Sequence, residues 1–273
     1  MPWPSPFASH PDGLPRLPGL LAALGLVMLA ACGPGPPDRD FIVAAAADLR
    51  FAMDEIAQRF QQQHPEVAVK VTYGSSGHFY EQALNGAPFD VLCSADLAYP
   101  RHLEERGFGM PGSQFQYGAG RIVIWVPESS PIDVAKDGIR SLLHPSVRHI
   151  AIANPGHAPY GKAAVAAMRA LGVYDAVQSK LAYGENIAQA LHYVQMRSAE
   201  IGIVALSLAL APNVGESGRY WEIPLDAYPR LTQGGIILKR TKHPAAAGAF
   251  RDFLLGEQAQ SILKSFGFLP PGK

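Results

Sequence analysis

Four segments of the sequence place small residues, glycines or hydroxyl side chains between a run of apolar residues and a helical pattern. These segments are residues 44–49, 73–77, 154–161 and 183–187. Such a junction leaves unpaired backbone N–H groups at the start of a helix, and those groups bind anions. Each segment alone is typical of an ordinary turn and helix cap. Because all four fall at the same kind of junction, together they indicate where a ligand would bind, and the exposed amides and hydroxyls of residues 73–77 suit an anion there.

The elements that must position these junctions alternate from residue 40 onward. Apolar residues recur at helical spacing in segments such as 49–60, and short apolar runs such as 121–126 and 149–153 are typical of buried strands. Strands alternating with helices form mainly parallel sheets covered on both faces. Ligands of such sheets bind beyond the carboxyl ends of the strands. The sequence therefore predicts an α/β fold with its site at the strand-to-helix junctions.

The charge balance excludes some functions. Lys plus Arg and Asp plus Glu each number 23, so the formal net charge is zero. A nucleic-acid surface needs a basic excess, so no nucleic-acid partner is expected. The only cysteines, Cys32 and Cys93, lack the spacing of a metal site. We expect no cofactor, no direct metal ligand, and an anion site that depends on local groups.

The N-terminal region predicts export. Gly19–Ala31 is continuously apolar, but 13 residues are too few for a membrane span, which needs about 20. The run ends in Leu29-Ala30-Ala31-Cys32, which resembles the lipobox of bacterial lipoproteins. That resemblance implies a signal peptide over 1–31, lipidation of Cys32 and anchoring of the chain to a membrane of the cell envelope, facing the periplasm. A short buried helix carrying an unrelated cysteine is the alternative.

A tether follows over residues 32–39, where glycines and prolines prevent regular structure. The rest of the sequence resembles the molybdate-binding family of periplasmic solute-binding proteins. The matching stretches are 43–49, 73–76, 85–90, 94–96, 154–155, 159–161, 202–204 and 266–268. The resemblance implies the two-lobed periplasmic-binding-protein fold, in which each lobe is a mainly parallel sheet flanked by helices and the ligand lies in the interlobe cleft. It places lobe I at 40–117 plus 225–273 and lobe II at 118–224.

The resemblance also implies which residues hold the ligand. Backbone N–H groups and hydroxyls would bind a tetrahedral oxyanion, molybdate or tungstate, at Ala47, Asp48, Ser76, Tyr160 and Ile187, with Ser75 as an extra candidate donor. The implied protein is a monomer, is not an enzyme, and delivers its ligand to the inner-membrane permease of an ABC importer.

Two positions depart from the family pattern. Many members have a hydroxyl or amide side chain where this chain has Asp48, and some have a tyrosine donor where it has Ala205. A carboxylate about 4 Å from an anion costs a few kcal/mol per unit charge at an effective dielectric of about 20. Asp48 could turn away and offer only its N–H, could be protonated on binding, or could indicate a different ligand.

Two other functions stay open at this point. A lipoprotein sensor or binding module of the same fold would take a different ligand, as Asp48 and Ala205 would suggest. A hydrolase would need a site assembled from Cys93, His78, His157 and Asp48, among which no nucleophile–base spacing is recognisable.

Overall fold

The computed structural model describes residues 40–272, which form two five-stranded sheets flanked by helices. The strands are β1 Asp40–Ala46, β2 Ala68–Gly74, β3 Val91–Ser94, β4 Phe115–Gly120, β5 Ile122–Pro127, β6 Ile150–Ala153, β7 Leu181–Gly184, β8 Ile201–Ala205, β9 Gly218–Glu222 and β10 Leu231–Ile237.

The helices cover both sheets. They are α1 Arg50–Gln63, α2 Ser76–Leu84, α3 Ala98–Glu105, α4 Val134–Asp137, α5 Pro159–Ala170, α6 Tyr174–Val177, α7 Ile187–Gln195, α8 Leu206–Ala209, α9 Pro212–Gly215, α10 Pro244–Leu255 and α11 Glu257–Ser265. Short 3-10 helices lie at Ala47–Leu49, Gly138–Leu143, Gln178–Lys180 and Leu225–Ala227. Among the described residues, no helix combines the length and apolar character that a membrane crossing requires.

The two sheets share one arrangement. The first has the order β2-β1-β3-β10-β4 and the second β7-β6-β8-β5-β9. In each sheet the first three strands are parallel, and the fourth runs antiparallel to both of its neighbours. The two-sheet α/β architecture is confirmed, with mixed rather than mainly parallel sheets. The antiparallel strands β10 and β5 enter their sheets directly from the other sheet, without the crossover helix that produces parallel pairing.

The chain passes between the sheets at two places in the described region. It leaves the first sheet at Gly120 and starts the second at Ile122, with Arg121 between them. It returns between Glu222 and Leu231. These segments lie beside each other, since the Tyr228 hydroxyl accepts a hydrogen bond from the Ile122 N–H at 3.3 Å.

Apolar periodicity explains how helix α1 covers the first sheet. Met53, Ile56 and Phe60 lie on one face of α1 and are fully buried. The Phe60 ring packs against Phe41 of β1 and Phe250 of α10, with ring centroids 6.4 and 5.2 Å away. One aromatic cluster thus fixes α1 and α10 on the same sheet.

The elements expected from the sequence are present, together with three further strands and the short helices α4, α6, α8 and α9. Strands β4, β7 and β9 were not predicted, because glycines and partly exposed residues interrupt their apolar patterns. The strand formed by the apolar run 121–126 extends one residue further than that run, since Pro127 is the last residue of β5 and pairs with Gly218 of β9. Cys93 is a buried residue of β3. Residues 1–39, with Cys32 and the expected signal peptide and tether, lie outside the described region.

Truncation of the aromatic cluster should be costly. We expect Phe60→Ala to lower the free energy of unfolding by about 3–5 kcal/mol, because it removes a fully buried ring and leaves a cavity. Urea denaturation followed by circular dichroism measures this change. Phe108→Ala is the control, since that ring is 37% exposed and its removal should cost much less. Equal losses in the two variants would contradict the packing described.

Candidate anion-binding site

One small cavity collects the residues predicted from the sequence. It lies where the carboxyl ends of strands from the first sheet face those from the second. Its lining consists of Ala46, Ala47, Asp48, Gly74, Ser75, Ser76, Ala95, Ala158, Pro159, Tyr160, Asn186 and Ile187. All five expected site residues and the extra candidate Ser75 are therefore brought together. The cavity offers about 10 Å³ to the centre of a water molecule, which is roughly the space that one water needs.

Three helices begin at this cavity. Helix α2 starts at Ser76 on the first sheet, and helices α5 and α7 start at Pro159 and Ile187 on the second. The first N–H groups of a helix have no acceptor within it and carry partial positive charge. Asn186 caps α7 by accepting hydrogen bonds from the second and third residues, Ala188 and Gln189, at 3.0 Å each. The N–H of Ile187 is left outside this cap.

The Ser76 side chain supplies a hydroxyl donor. Its Oγ accepts a hydrogen bond from the Ala95 N–H at 3.0 Å, and the residue is 1% exposed. A hydroxyl that accepts one bond still has a proton to donate. No acceptor for this proton is found among the described residues, so Ser76 can donate to a solute in the cavity.

Ser75 behaves differently, because it links the two halves of the molecule, one built on the first sheet and the other on the second. Its hydroxyl donates to the carbonyl oxygen of His157 at 2.8 Å, and the N–H of Gly77 donates to the same oxygen at 3.1 Å. A Cβ at Gly77 would lie 2.5 Å from that oxygen, so only glycine permits this approach. In this conformation the Ser75 hydroxyl proton serves the contact with His157.

The Asp48 carboxylate accepts hydrogen bonds from a helix that follows a strand of the second sheet and from a strand of the first sheet. Its Oδ2 accepts a hydrogen bond from the Tyr160 hydroxyl at 2.9 Å and another from the Gln233 amide. Asp48 is 1% exposed. Gln233 does not line the cavity, and it also donates to the Tyr160 oxygen at 3.1 Å. This oxygen of the carboxylate is therefore engaged by protein donors beside the cavity.

Gln233 belongs to the site but was not among the residues predicted from the sequence. It lies in β10 and is fully buried. The available signal was a polar amide inside a strand that is otherwise buried, since buried polar groups need partners. Ser207 of α8 was also missed, and its hydroxyl donates to the Asp48 carbonyl oxygen at 2.7 Å.

Ala205, the second departure from the family pattern, is buried at the end of β8 and does not line the cavity.

Gly120 makes room for the Asp48 cluster, which consists of Asp48, Tyr160 and Gln233. A Cβ there would lie 2.0 Å from the Tyr160 hydroxyl and 2.7 Å from the Gln233 amide nitrogen. Because Gly120 is also the last residue before the chain passes to the second sheet, the Asp48 cluster lies against that passage.

Burial determines the electrostatics of Asp48. It raises the pKa of the carboxyl group to about 6, against the hydrogen bonds from Gln233 and Tyr160, which lower it. Burial likewise raises the pKa of Tyr160 well above its ordinary value, as does the nearby Asp48 charge. The lining of the cavity contains no lysine, arginine or histidine. The positive potential there comes from backbone dipoles.

The groups named for a hydrolase do not form a catalytic arrangement. Cys93 is buried in β3, and burial raises the pKa of its thiol. His78 and His157 stack at the edge of the cleft with centroids 3.8 Å apart. His157 Nδ1 lies 2.9 Å from Ser75 Oγ, but the Ser75 proton is donated to the His157 carbonyl, so Nδ1 is assigned as the donor and not as a base. Among the described residues, no group of three or more His, Cys, Asp or Glu could hold a metal ion.

Comparison with known proteins places this architecture in a family. The model of the family described as bacterial extracellular solute-binding protein matches residues 41–269. The chain belongs to this family. Its members named here are binding proteins rather than enzymes.

Relatives within the family are similar over nearly their whole length. The chain is 36% identical over 250 residues to the molybdate-binding protein ModA of Rhodobacter capsulatus, covering 92% of this chain and 94% of that protein. It is 36% identical to ModA of Azotobacter vinelandii over 249 residues, with coverages of 91% and 96%. The solved periplasmic molybdate-binding protein of Azotobacter vinelandii superposes with a TM-score of 0.79 at 32% identity, covering 85% of this chain and 100% of that one.

The buried Asp48 makes a testable contribution to stability. The pKa of Asp48 is about 6 in the folded protein, against an ordinary value of 3.8. Between these pH values the folded protein therefore binds more protons than the unfolded chain, and the free energy of unfolding falls as the pH rises towards about 6. We expect Asp48→Asn to raise the free energy of unfolding by about 1–3 kcal/mol at about pH 7.5 and to flatten its decline between about pH 4 and 6. Denaturation at several pH values measures both effects.

Asp175→Asn provides the control, because Asp175 is exposed on α6 and the variant makes the same change in net charge. It should change the free energy of unfolding by less than about 0.5 kcal/mol. If Asp48→Asn were destabilising at neutral pH, the carboxylate would be a favourable rather than a costly buried charge.

Proposed function

We propose that this protein is the extracytoplasmic solute-binding component of an ABC importer and that it captures molybdate. One observation carries the proposal. Helix starts from both halves of the fold converge on a cavity whose lining offers backbone N–H and hydroxyl donors and includes no lysine, arginine or histidine. The names of the relatives that match most of the chain point to the same ligand.

Such a site suits a fully deprotonated tetrahedral dianion. Helix N-termini and amide dipoles supply partial positive charge without a counter-ion. A protonated oxyanion such as hydrogen phosphate needs an acceptor for its proton. Beside the cavity the Asp48 carboxylate is the acidic acceptor, and its Oδ2 is already engaged by Tyr160 and Gln233, so the donors proposed for the ligand leave that proton unpaired. Tungstate has the same charge and shape as molybdate, so it should bind as well. A pocket of fixed size then favours these larger anions over sulfate.

Within this proposal the ligand contacts come from five residues. Ala47, Asp48, Tyr160 and Ile187 would offer backbone N–H groups, and Ser76 would offer its hydroxyl. Ser75 would act indirectly, since its contact with His157 joins the two halves over the ligand.

The proposal includes a motion. A tetrahedral oxyanion is larger than the single water that the cavity admits, so entry requires the two halves to separate. We take the moving bodies to be the lobes expected from the sequence, residues 40–117 with 225–273 and residues 118–224. Closure over the anion would then create the surface that an inner-membrane permease recognises.

The protein would work at the cell envelope as a monomer without enzymatic activity. Lipidation of Cys32 would hold it at a membrane, and residues 32–39 would separate the folded part from the lipid.

Ligand-dependent stability provides the main test. We expect about 1 mM molybdate or tungstate to raise the free energy of unfolding by about 4 kcal/mol if the dissociation constant is about 1 µM, and sulfate or phosphate to have little effect. Calorimetry of thermal denaturation measures this stabilisation, and the affinities follow from it. Equal stabilisation by all four anions would remove the selectivity. No stabilisation by any of them would favour a sensor or binding module with a different ligand.

The Ser76 hydroxyl should contribute to affinity. We expect Ser76→Ala to weaken molybdate binding by about 1–3 kcal/mol, because a buried donor to the anion is lost. Ser113→Ala is a matched control, since Ser113 is also buried and its hydroxyl accepts the Ile237 N–H at 3.3 Å, away from the cavity. Isothermal titration of both variants separates a contact with the ligand from a general effect of losing a buried hydroxyl. Unchanged affinity in Ser76→Ala would place the site elsewhere.

A further inference from the structure

The Asp48 cluster contains two buried acceptors and lacks a donor for them. Oδ1 of Asp48 and Oε1 of Gln233 are both buried without a hydrogen-bond partner in the described part of the chain. The two side chains are already in contact through Oδ2 and Nε2. A buried acceptor without a donor is unfavourable. A single proton on the carboxylate would convert one of its oxygens into a donor within this cluster.

Within residues 40–272, no cationic side chain is among the groups that act on the Asp48 charge. The groups packed around it come from α5, β4, β10 and α8, namely Tyr160, Tyr117, Gln233 and Ser207. The two tyrosines are the titratable groups among them. Burial raises the pKa of each well above its ordinary value, so both are neutral near physiological pH. The carboxylate therefore has neutral donors alone to balance it.

An oxyanion in the cavity would lie next to this carboxylate. Asp48 itself lines the cavity, and under the proposed function its backbone N–H is one of the donors to the ligand. A dianion and a carboxylate so close together repel each other strongly where water is excluded. Such repulsion stabilises the protonated form of the acid.

We propose that oxyanion binding is coupled to the uptake of one proton by the Asp48 carboxylate, with Gln233 positioned to accept a hydrogen bond from the new hydroxyl group. The proton comes from the surrounding buffer, and an O–H bond forms on Asp48 without any other covalent change. This inference rests on the proposed function and adds a pH dependence to it.

The proton inventory follows from the charge states. Burial raises the pKa of Asp48 to about 6 in the protein without ligand, so the group is mostly ionised above about pH 7. Molybdate carries no proton in that range. Binding above about pH 7 therefore takes up close to one proton, and the affinity falls about tenfold for each unit of rising pH until the pKa of the complex is reached.

Calorimetric titration of the wild-type protein with sodium molybdate tests this directly. Titrations at about pH 7.5 in two buffers of different ionisation enthalpy give the number of protons taken up, and titrations at about pH 7 and pH 8 give the change in affinity. We expect about one proton per anion and a dissociation constant about tenfold larger at the higher pH. An uptake near zero with constant affinity would overturn the coupling while leaving the proposed function intact.

Two variants assign the proton to its residue. Asp48→Asn should bind molybdate with no proton uptake and with the same affinity at both pH values. Asp175→Asn makes the same charge change on the exposed surface of α6 and should retain the wild-type uptake. Uptake that persists in Asp48→Asn would show that another group takes the proton. If neither the wild type nor any variant binds molybdate or tungstate at either pH, the proposed function itself fails.

Discussion

A dianion can be held in a protein interior without a counter-ion only where several backbone dipoles point at one place. The structure meets this constraint through the position of its helix starts. Helix α2 follows a strand of the first sheet, and α5 and α7 follow strands of the second. Because the carboxyl ends of the parallel strands in each sheet face the other sheet, the three helices begin at one cavity. The order of strands and helices along the chain thus determines the chemistry of the site.

Close approach of the two halves depends on positions without side chains. Gly77 lets the start of α2 contact the loop before α5, and Gly120 leaves space for the Tyr160 hydroxyl and the Gln233 amide. Gly77 lies in the first turn of α2, and Gly120 lies where the chain crosses between the sheets. A methyl group at either position would collide with polar atoms that bind the neighbouring half.

Much of the fold and the site could be predicted from sequence, for identifiable reasons. The junction at residues 73–77 was predicted correctly, because its glycines and serines follow strand β2 and precede helix α2. The six residues expected at the site share one cavity, because they occupy equivalent junctions of a repeated strand–helix pattern. Strand β9 was missed because its residues are partly exposed. The role of Gln233 was missed, since a polar amide within an apolar strand is a weak signal until its complete burial is known.

The hydrogen bond from Tyr160 to Asp48 joins a helix of the second sheet to the end of β1 in the first. Any separation of the halves that admits a solute also stretches this bond and brings water to the carboxylate. The solvation of Asp48 therefore depends on the angle between the halves. A hydrated carboxylate ionises more readily than a buried one. Acid in the surrounding medium would consequently shift even the empty protein towards its closed shape, which links receptor geometry to the acidity of the compartment in which it works.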